Sequence, residues 1–187
     1  MHGTIQNYFG VSESLRFPMT VLETDRLRLR QLTTDNAAFI FKLVNDPAWL
    51  RYIGDRNVRT LDDARNYILK GPVASYEKFG FGLWLVELKA DGTPLGICGL
   101  LQRDTLPDVD IGFALLPQFC GQGYAVEAGL ATMAYGRTTV GLKRIVAITS
   151  PDNESSIRIL DKLGLRFERM IRPNPNDLEL KMFASES

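Results

Sequence analysis

Histidine and cysteine are scarce in this sequence. The single histidine, His2, stands at the start of the chain, and the two cysteines, Cys98 and Cys120, are far apart. Metal centres are built from clustered His, Cys or carboxylate ligands, so the sequence predicts no metal site. Two isolated cysteines are typical of free thiols in a reducing compartment, which favours a cytoplasmic protein.

An excess of one charge and a long apolar run are also missing. The 22 basic and 22 acidic residues cancel, so no broad field attracts nucleic acid or an anionic membrane surface. No apolar stretch approaches the length of about 18 residues that a membrane-spanning helix needs. The first twenty residues lack the basic start and apolar block of a secretory signal. We therefore expect neither a nucleic acid nor a membrane as partner.

The length and hydrophobic content indicate one globular domain. A chain of 187 residues that is 45% hydrophobic can bury a sizeable core. Residues 1–20 carry Gly3, Gly10 and Pro18 among scattered polar groups, which predicts an N-terminal arm. The domain itself is then expected over residues 21–187.

Hydrophobic periodicity predicts a mixed α/β order of elements. Strands are expected over 24–32, 81–88, 95–101, 109–116, 144–149, 165–171 and 177–183, and helices over 36–44, 61–69, 124–139 and 153–163. Gly71-Pro72 is expected to end the second helix. The third is expected to bury Val126, Leu130, Met133 and Ala134, with Gly129 and Gly136 permitting close packing.

Gly121-Gln122-Gly123 lies where a strand pattern turns into a helix. Glycine adopts positive φ, and the first N–H groups of a helix have no intrahelical acceptor, so this loop is suited to a phosphate or diphosphate. A Walker loop would need Lys and then Ser or Thr where Tyr124-Ala125 stand. A dinucleotide fingerprint would need Gly or Ala at Val126 and an acid where Lys143-Arg144 occur.

The loop resembles the acyl-CoA-binding loop of the GNAT superfamily of N-acetyltransferases, Gln/Arg-x-x-Gly-x-Gly/Ala. Gly123 and Ala125 match its last two fixed positions, whereas Cys120 replaces Gln or Arg. A second stretch, 153–165, resembles the family helix pattern Asn-x-x-Ser/Ala…Lys-x-Gly-Phe, with Leu165 in place of Phe. Residues 22–30 and 110–113 are similar to the ribosomal-protein N-terminal (Rim-type) branch. The resemblance covers about residues 20–184.

The resemblance implies a GNAT fold, in which a mixed, mostly antiparallel sheet of seven strands has splayed central strands and about four flanking helices. It also implies acetyl-CoA as co-substrate. The backbone of Phe113, Ala114 and Leu115 would bind the pantetheine arm, and Asn153 and Ser156 would contact the cofactor. The diphosphate would take N–H groups from Gly121, Gln122, Gly123, Tyr124, Ala125 and Val126.

Catalytic roles follow from the same resemblance. Asp110 holds the place of a family acid and is the candidate general base, with Asp108 as its rival and a water relay as the other route. Leu160 stands where many members have a tyrosine acid, so Ser156 is the candidate donor to the leaving thiolate. Cys120 has no neighbouring histidine and is not expected to form a covalent intermediate.

The acceptor is expected to be a primary amine that enters from the side opposite CoA. The α-amine of a protein or peptide stands first, and a small-molecule amine (aminoglycoside, polyamine or amino-acid analogue) stands second. A non-catalytic acyl-CoA-binding regulatory domain is the third reading, and the chain is expected to be a monomer or a homodimer. Candidate walls of the acceptor site are Trp49, Tyr52, Phe79, Phe81 and Trp84, and Asp55 or Asp177 could attract a cation.

Overall fold

A computed structural model describes residues 19–174 and 178–186. The strands are β1 (Thr20–Glu23), β2 (Leu27–Arg30), β3 (Leu83–Leu88), β4 (Pro94–Leu101), β5 (Asp110–Leu115), β6 (Val146–Thr149), β7 (Arg166–Ile171) and β8 (Leu180–Ala184). The α-helices are α1 (Ala37–Val44), α2 (Pro47–Tyr52), α3 (Leu61–Ile68), α4 (Ala74–Phe79), α5 (Tyr124–Thr138) and α6 (Glu154–Lys162). All strands form one sheet in the order β1-β2-β3-β4-β5-β6-β8-β7.

The sheet has one strand more than the sequence predicts. The segment predicted as a single strand over 24–32 contains only β2, and β1 precedes it as an antiparallel neighbour. Thr20, the last residue of the predicted arm, is therefore part of the sheet. Residues 1–18 of that arm lie outside the described part of the chain. The α/β class and the mostly antiparallel sheet are confirmed.

The helices on the N-terminal side are more numerous than predicted. Gly71-Pro72 does not end the second helix, because the chain passes through a π-helical turn, Leu69–Val73, directly into α4. That helix ends at Gly80, whose positive φ of 77° suits glycine. The short α2 begins at Pro47 in the first helical position, and the Asp46 side chain accepts a hydrogen bond from the amide of Ala48 at 2.9 Å.

Helix α5 packs through its small residues rather than through its leucine. The predicted buried face is wrong in part, since Leu130 is 49% exposed and Ala134 is also exposed. Gly129 and Gly136 are buried instead, and a β-carbon on either would come within 2.8 Å of Leu163 or Ile145. The prediction that these glycines permit close packing is confirmed.

Apolar side chains cover both faces of the sheet. Because successive residues of a strand point to opposite faces, Trp84 and Val86 contact one cluster and Leu85 contacts the other. Helices α5 and α6 cover the first face, and α1 and α3 cover the second. The result is a three-layer arrangement with the sheet in the middle.

The two central strands separate immediately after they meet. β5 and β6 are the one parallel pair among the described strands, and their register contains only Asp110 opposite Val146. β5 continues in register with β4 as far as Leu115, while β6 pairs with β8 on its other side. The splayed central strands are confirmed, and a gap opens toward their carboxyl ends.

Candidate active site

A cavity of about 920 Å³ occupies this gap. It brings together most of the residues that the sequence predicted for cofactor binding and catalysis: Asp110, Phe113, Ala114, Leu115, Gly121, Gly123, Tyr124, Ala125, Val126, Asn153 and Ser156. Gln122 belongs to the predicted set but does not border the cavity. Its side-chain amide turns back and donates to the Gln118 carbonyl at 2.9 Å.

The loop at the open end of the gap presents unused backbone donors. Gly121 and Gly123 have φ of 77° and 84°, the left-handed region that favours glycine. Within the described residues, the N–H groups from Gly121 to Val126 donate to no protein acceptor, and the first helical bond of α5 runs from the Glu127 amide to the Gly123 carbonyl at 3.0 Å. With the positive end of the helix dipole beside them, these amides are suited to an anion.

Glu127 fixes this loop against the first hairpin. It accepts hydrogen bonds from the Thr24 hydroxyl at 2.5 Å, the Arg26 amide at 3.0 Å and the Arg26 Nε at 2.7 Å. Burial acts to raise the pKa of Glu127, but these bonds outweigh it and the pKa is lowered. Arg26 also donates to the Gln122 carbonyl at 3.2 Å and lies over the Tyr124 ring.

Sequence reasoning missed this link between Glu127 and Arg26. The two residues are 101 positions apart. Their only local signals are an acid in the first turn of a helix and a charge in an alternating strand. Neither signal indicates a contact between the two.

The amino terminus of α6 forms the opposite wall of the cavity. Asn153 caps this helix, since its Oδ1 accepts from the Ser156 amide at 3.1 Å. Both side chains also border the cavity. Capping and a place on the cavity wall are therefore compatible for Asn153.

Asp110 lies where β5 and β6 separate. It is 1% exposed, and the Nε of Arg103 donates to its two carboxylate oxygens at 3.0 and 3.1 Å. Burial raises the pKa of Asp110, and the positive charge of Arg103 opposes but does not cancel the increase. Its rival Asp108 instead forms an ion pair with Arg144 at 3.2 Å and does not border the cavity.

The edge of β5 that faces the gap has no strand partner beyond Asp110. Phe113, Ala114 and Leu115 pair only with β4 and border the cavity along this edge. Backbone groups on an unpaired strand edge are available to an extended amide-containing ligand. The geometry is therefore compatible with the backbone role expected for these three residues.

The aromatic walls expected for the acceptor are only partly present. Trp49, Tyr52 and Phe79 border the cavity, whereas Phe81 and Trp84 belong to the hydrophobic core. Asp55 is engaged with Arg59 and with the amide of Asn57, away from the cavity. Asp177 lies outside the described residues.

A family model described as "Acetyltransferase (GNAT) domain" matches residues 26–166. The chain belongs to this GNAT acetyltransferase family. A relative from Bacillus subtilis (strain 168), named "Uncharacterized N-acetyltransferase YoaA", is 33% identical over 155 residues, which are 81% of this chain and 86% of the relative. The protein is thus an acetyl-CoA-dependent N-acetyltransferase.

Solved structures share the GNAT fold. A GNAT-family acetyltransferase from Bacillus anthracis superposes with a TM-score of 0.73 at 26% identity, covering 89% of this chain and 97% of that one. The ribosomal L7/L12 α-N-protein acetyltransferase RimL, in complex with coenzyme A, superposes with a TM-score of 0.75 at 18% identity, covering 90% and 98%. At that identity the likeness to RimL concerns the fold.

The described residues also bear on metal binding and on membrane insertion. Over residues 19–174 and 178–186, no three His, Cys, Asp or Glu side chains are grouped so that they could hold a metal ion. Within the same ranges no helix has the length and apolar character to cross a bilayer.

Proposed function

We propose that this enzyme acetylates the α-amine of a protein or peptide, with Asp110 as general base. The observation that carries the proposal is the setting of Asp110, a buried carboxylate of raised pKa on the cavity wall. Neutralising an α-amine of pKa about 8 at pH 7 costs about 1.4 kcal/mol, against about 4.6 kcal/mol for a lysine amine of pKa about 10.4. A carboxylate paired with an arginine, as Asp110 is with Arg103, is a modest base. Such a base is adequate to deprotonate an α-amine and poorly matched to a lysine amine.

In a direct transfer of the acetyl group from acetyl-CoA to the amine, each part of the site has its own role. The amides of 121–126 hold the diphosphate of acetyl-CoA, and the open edge of β5 aligns its pantetheine arm. Asp110 takes the proton from the attacking nitrogen, directly or through water, as the C–N bond forms. Ser156 donates a proton to the thiolate as the C–S bond breaks.

A solved structure with the same fold supports an α-amine as the acceptor. RimL is by its printed name an α-N-protein acetyltransferase, and it shares the fold along most of both chains. The two thiols, Cys98 and Cys120, are free, which supports a location in the reducing cytoplasm.

Thiol release from acetyl-CoA tests the proposal against four acceptor panels. These are peptides with a free α-amine, N-terminally blocked peptides with a free lysine, polyamines and aminoglycosides. The α-amine peptides should be the best acceptors. Turnover confined to lysine, polyamines or aminoglycosides would contradict the proposal, and CoA binding without turnover of any panel would indicate a non-catalytic acyl-CoA-binding domain.

A further inference from the structure

Arg26 contacts the glycine loop (residues 121–126) without bordering the cavity. Its Nη1 donates to the Gln122 carbonyl at 3.2 Å, and its guanidinium carbon lies 4.4 Å from the centre of the Tyr124 ring. A β-carbon on Gly123 would lie 3.4 Å from the same guanidinium group. Arg26 therefore acts on the loop itself rather than on a ligand in the cavity.

Glu127, in the first turn of α5, holds this guanidinium group in place. Its Oε2 accepts from the Arg26 Nε at 2.7 Å and lies 2.6 Å from the Arg26 Nη2. Like Arg26, Glu127 does not border the cavity. The planar guanidinium fork allows Arg26 to bind the carboxylate and the Gln122 carbonyl at the same time, which the single amine of a lysine does not reproduce. The pair thus connects the turn between β1 and β2 to the loop and to the helix that follows it.

The backbone of the glycine loop depends on such a restraint. Within the described residues, the N–H groups from Gly121 to Val126 donate to no protein acceptor, so they do not fix the loop. Glycine loses more conformational freedom on ordering than any other residue, and fixing the backbone of even one residue costs free energy. A ligand that had to order the loop would lose that free energy from its affinity, whereas a loop held in advance avoids the loss.

Resting on the diphosphate role proposed above for these amides, we propose that Arg26 and Glu127 are positioning residues that hold the glycine loop in the conformation that binds acetyl-CoA. Glu127 gives the proposal a distinctive sign. A negative charge beside a site for an anion opposes binding by its Coulomb energy alone. If Glu127 acts by positioning Arg26, removal of its charge weakens the binding of CoA.

Calorimetry with CoA tests the role of Arg26 without requiring an acceptor. Arg26→Gln should raise the Kd for CoA by about tenfold, because the ligand must then order the backbone of about one residue. Arg28→Gln is the matched control. It removes the same charge from the same hairpin, where Arg28 pairs with Glu23 and Glu87, and should leave the Kd unchanged.

Glu127→Gln separates positioning from simple electrostatics. The variant keeps a side-chain oxygen as acceptor but loses the charge that holds Arg26. Positioning predicts a higher Kd for CoA, whereas electrostatics alone predicts a lower one. In both Arg26→Gln and Glu127→Gln, kcat at saturating acetyl-CoA and kcat/KM for acetyl-pantetheine, which lacks the diphosphate, should stay at the values of the parent protein.

Unchanged or tighter binding of CoA by Glu127→Gln would overturn the inference. So would an unchanged Kd in Arg26→Gln, a loss of the same size in Arg28→Gln, or an equal loss with acetyl-pantetheine, since the last two indicate a general disturbance of the fold. The parent protein distinguishes these failures from failure of the diphosphate site. If it binds CoA and pantetheine with the same Kd, the loop holds no diphosphate and both proposals fail.

Discussion

Replacing Ala125 with proline would delete one of the proposed diphosphate donors without removing a functional side chain. Ala125 is the second residue of α5, and its N–H has no acceptor within the described residues. Proline has no N–H, and its fixed φ is compatible with the first turn of a helix, where no intrahelical bond is lost. Some strain falls on Tyr124, because a residue before proline is disfavoured in the α conformation.

The expected loss follows from one hydrogen bond to a charged group. Such a bond contributes about 1.5–3 kcal/mol, so Ala125→Pro should weaken CoA binding by about 10- to 150-fold. Ala125→Ser retains the N–H and is the matched control, with affinity close to that of the parent protein. Proline at the first turn should lower the thermal midpoint only slightly, because every helical hydrogen bond of α5 remains.

The assay compares two acetyl donors that differ in the diphosphate. Calorimetry gives the Kd for CoA, and steady-state kinetics gives kcat/KM for acetyl-CoA and for acetyl-pantetheine, which lacks the diphosphate. In Ala125→Pro the loss should appear with acetyl-CoA and be absent with acetyl-pantetheine. Thermal unfolding of each variant establishes that the helix is intact.

Two results would refute the role of these amides. In one, Ala125→Pro binds CoA as tightly as Ala125→Ser. In the other, it loses the same factor with both donors, which would mean that the substitution acts on the whole site rather than on the diphosphate.

Three further variants test the rest of the site. Asp110→Asn should lower kcat by about 10²-fold or more, with the Kd for CoA unchanged. In the parent enzyme the rate should rise with pH through the raised pKa of Asp110, because the base acts when deprotonated. This rise of the rate with pH should be absent in the variant. Ser156→Ala should lower kcat by about tenfold at constant KM for acetyl-CoA, and an unchanged kcat would remove Ser156 from the mechanism. Glu127→Gln should lower the free energy of unfolding at pH 7 by about 1 kcal/mol. The effect is small because Arg26 is half exposed and solvent screens its ion pair with Glu127. Since the folded pKa of Glu127 is lowered, its stabilisation is present above the unfolded pKa and disappears as pH falls through the folded pKa, so urea unfolding of variant and parent should converge in acid.

The conformation of the glycine loop and the cap of α6 could be predicted from sequence because their signals are local. Gly121 and Gly123 are needed where φ is positive, and the asparagine of Asn-x-x-Ser caps the helix that it precedes. The splay of β5 and β6 followed only from the family resemblance, since no local pattern shows where two strands stop pairing. The resemblance therefore contributed what periodicity could not.

Other features depend on contacts between distant segments. β1 is only four residues long, and it is a strand because it pairs with β2. The exposure of Leu130 results from glycines that bring α5 close to Leu163 and Ile145, which overrides the hydrophobic pattern of the helix.

The position of the proposed base is set by strand pairing rather than by a loop. Asp110 is the single β5 residue in register with β6, so it stands where the two halves of the sheet are still joined. Pairing on both sides accounts for its burial, and burial raises its pKa toward the range in which a carboxylate can accept a proton. The same strand leads from Asp110 to the glycine loop, so the length of β5 sets the distance between the proposed base and the proposed diphosphate site. A substitution that shifts the β4–β5 register by one residue would therefore disable catalysis even with every site side chain retained.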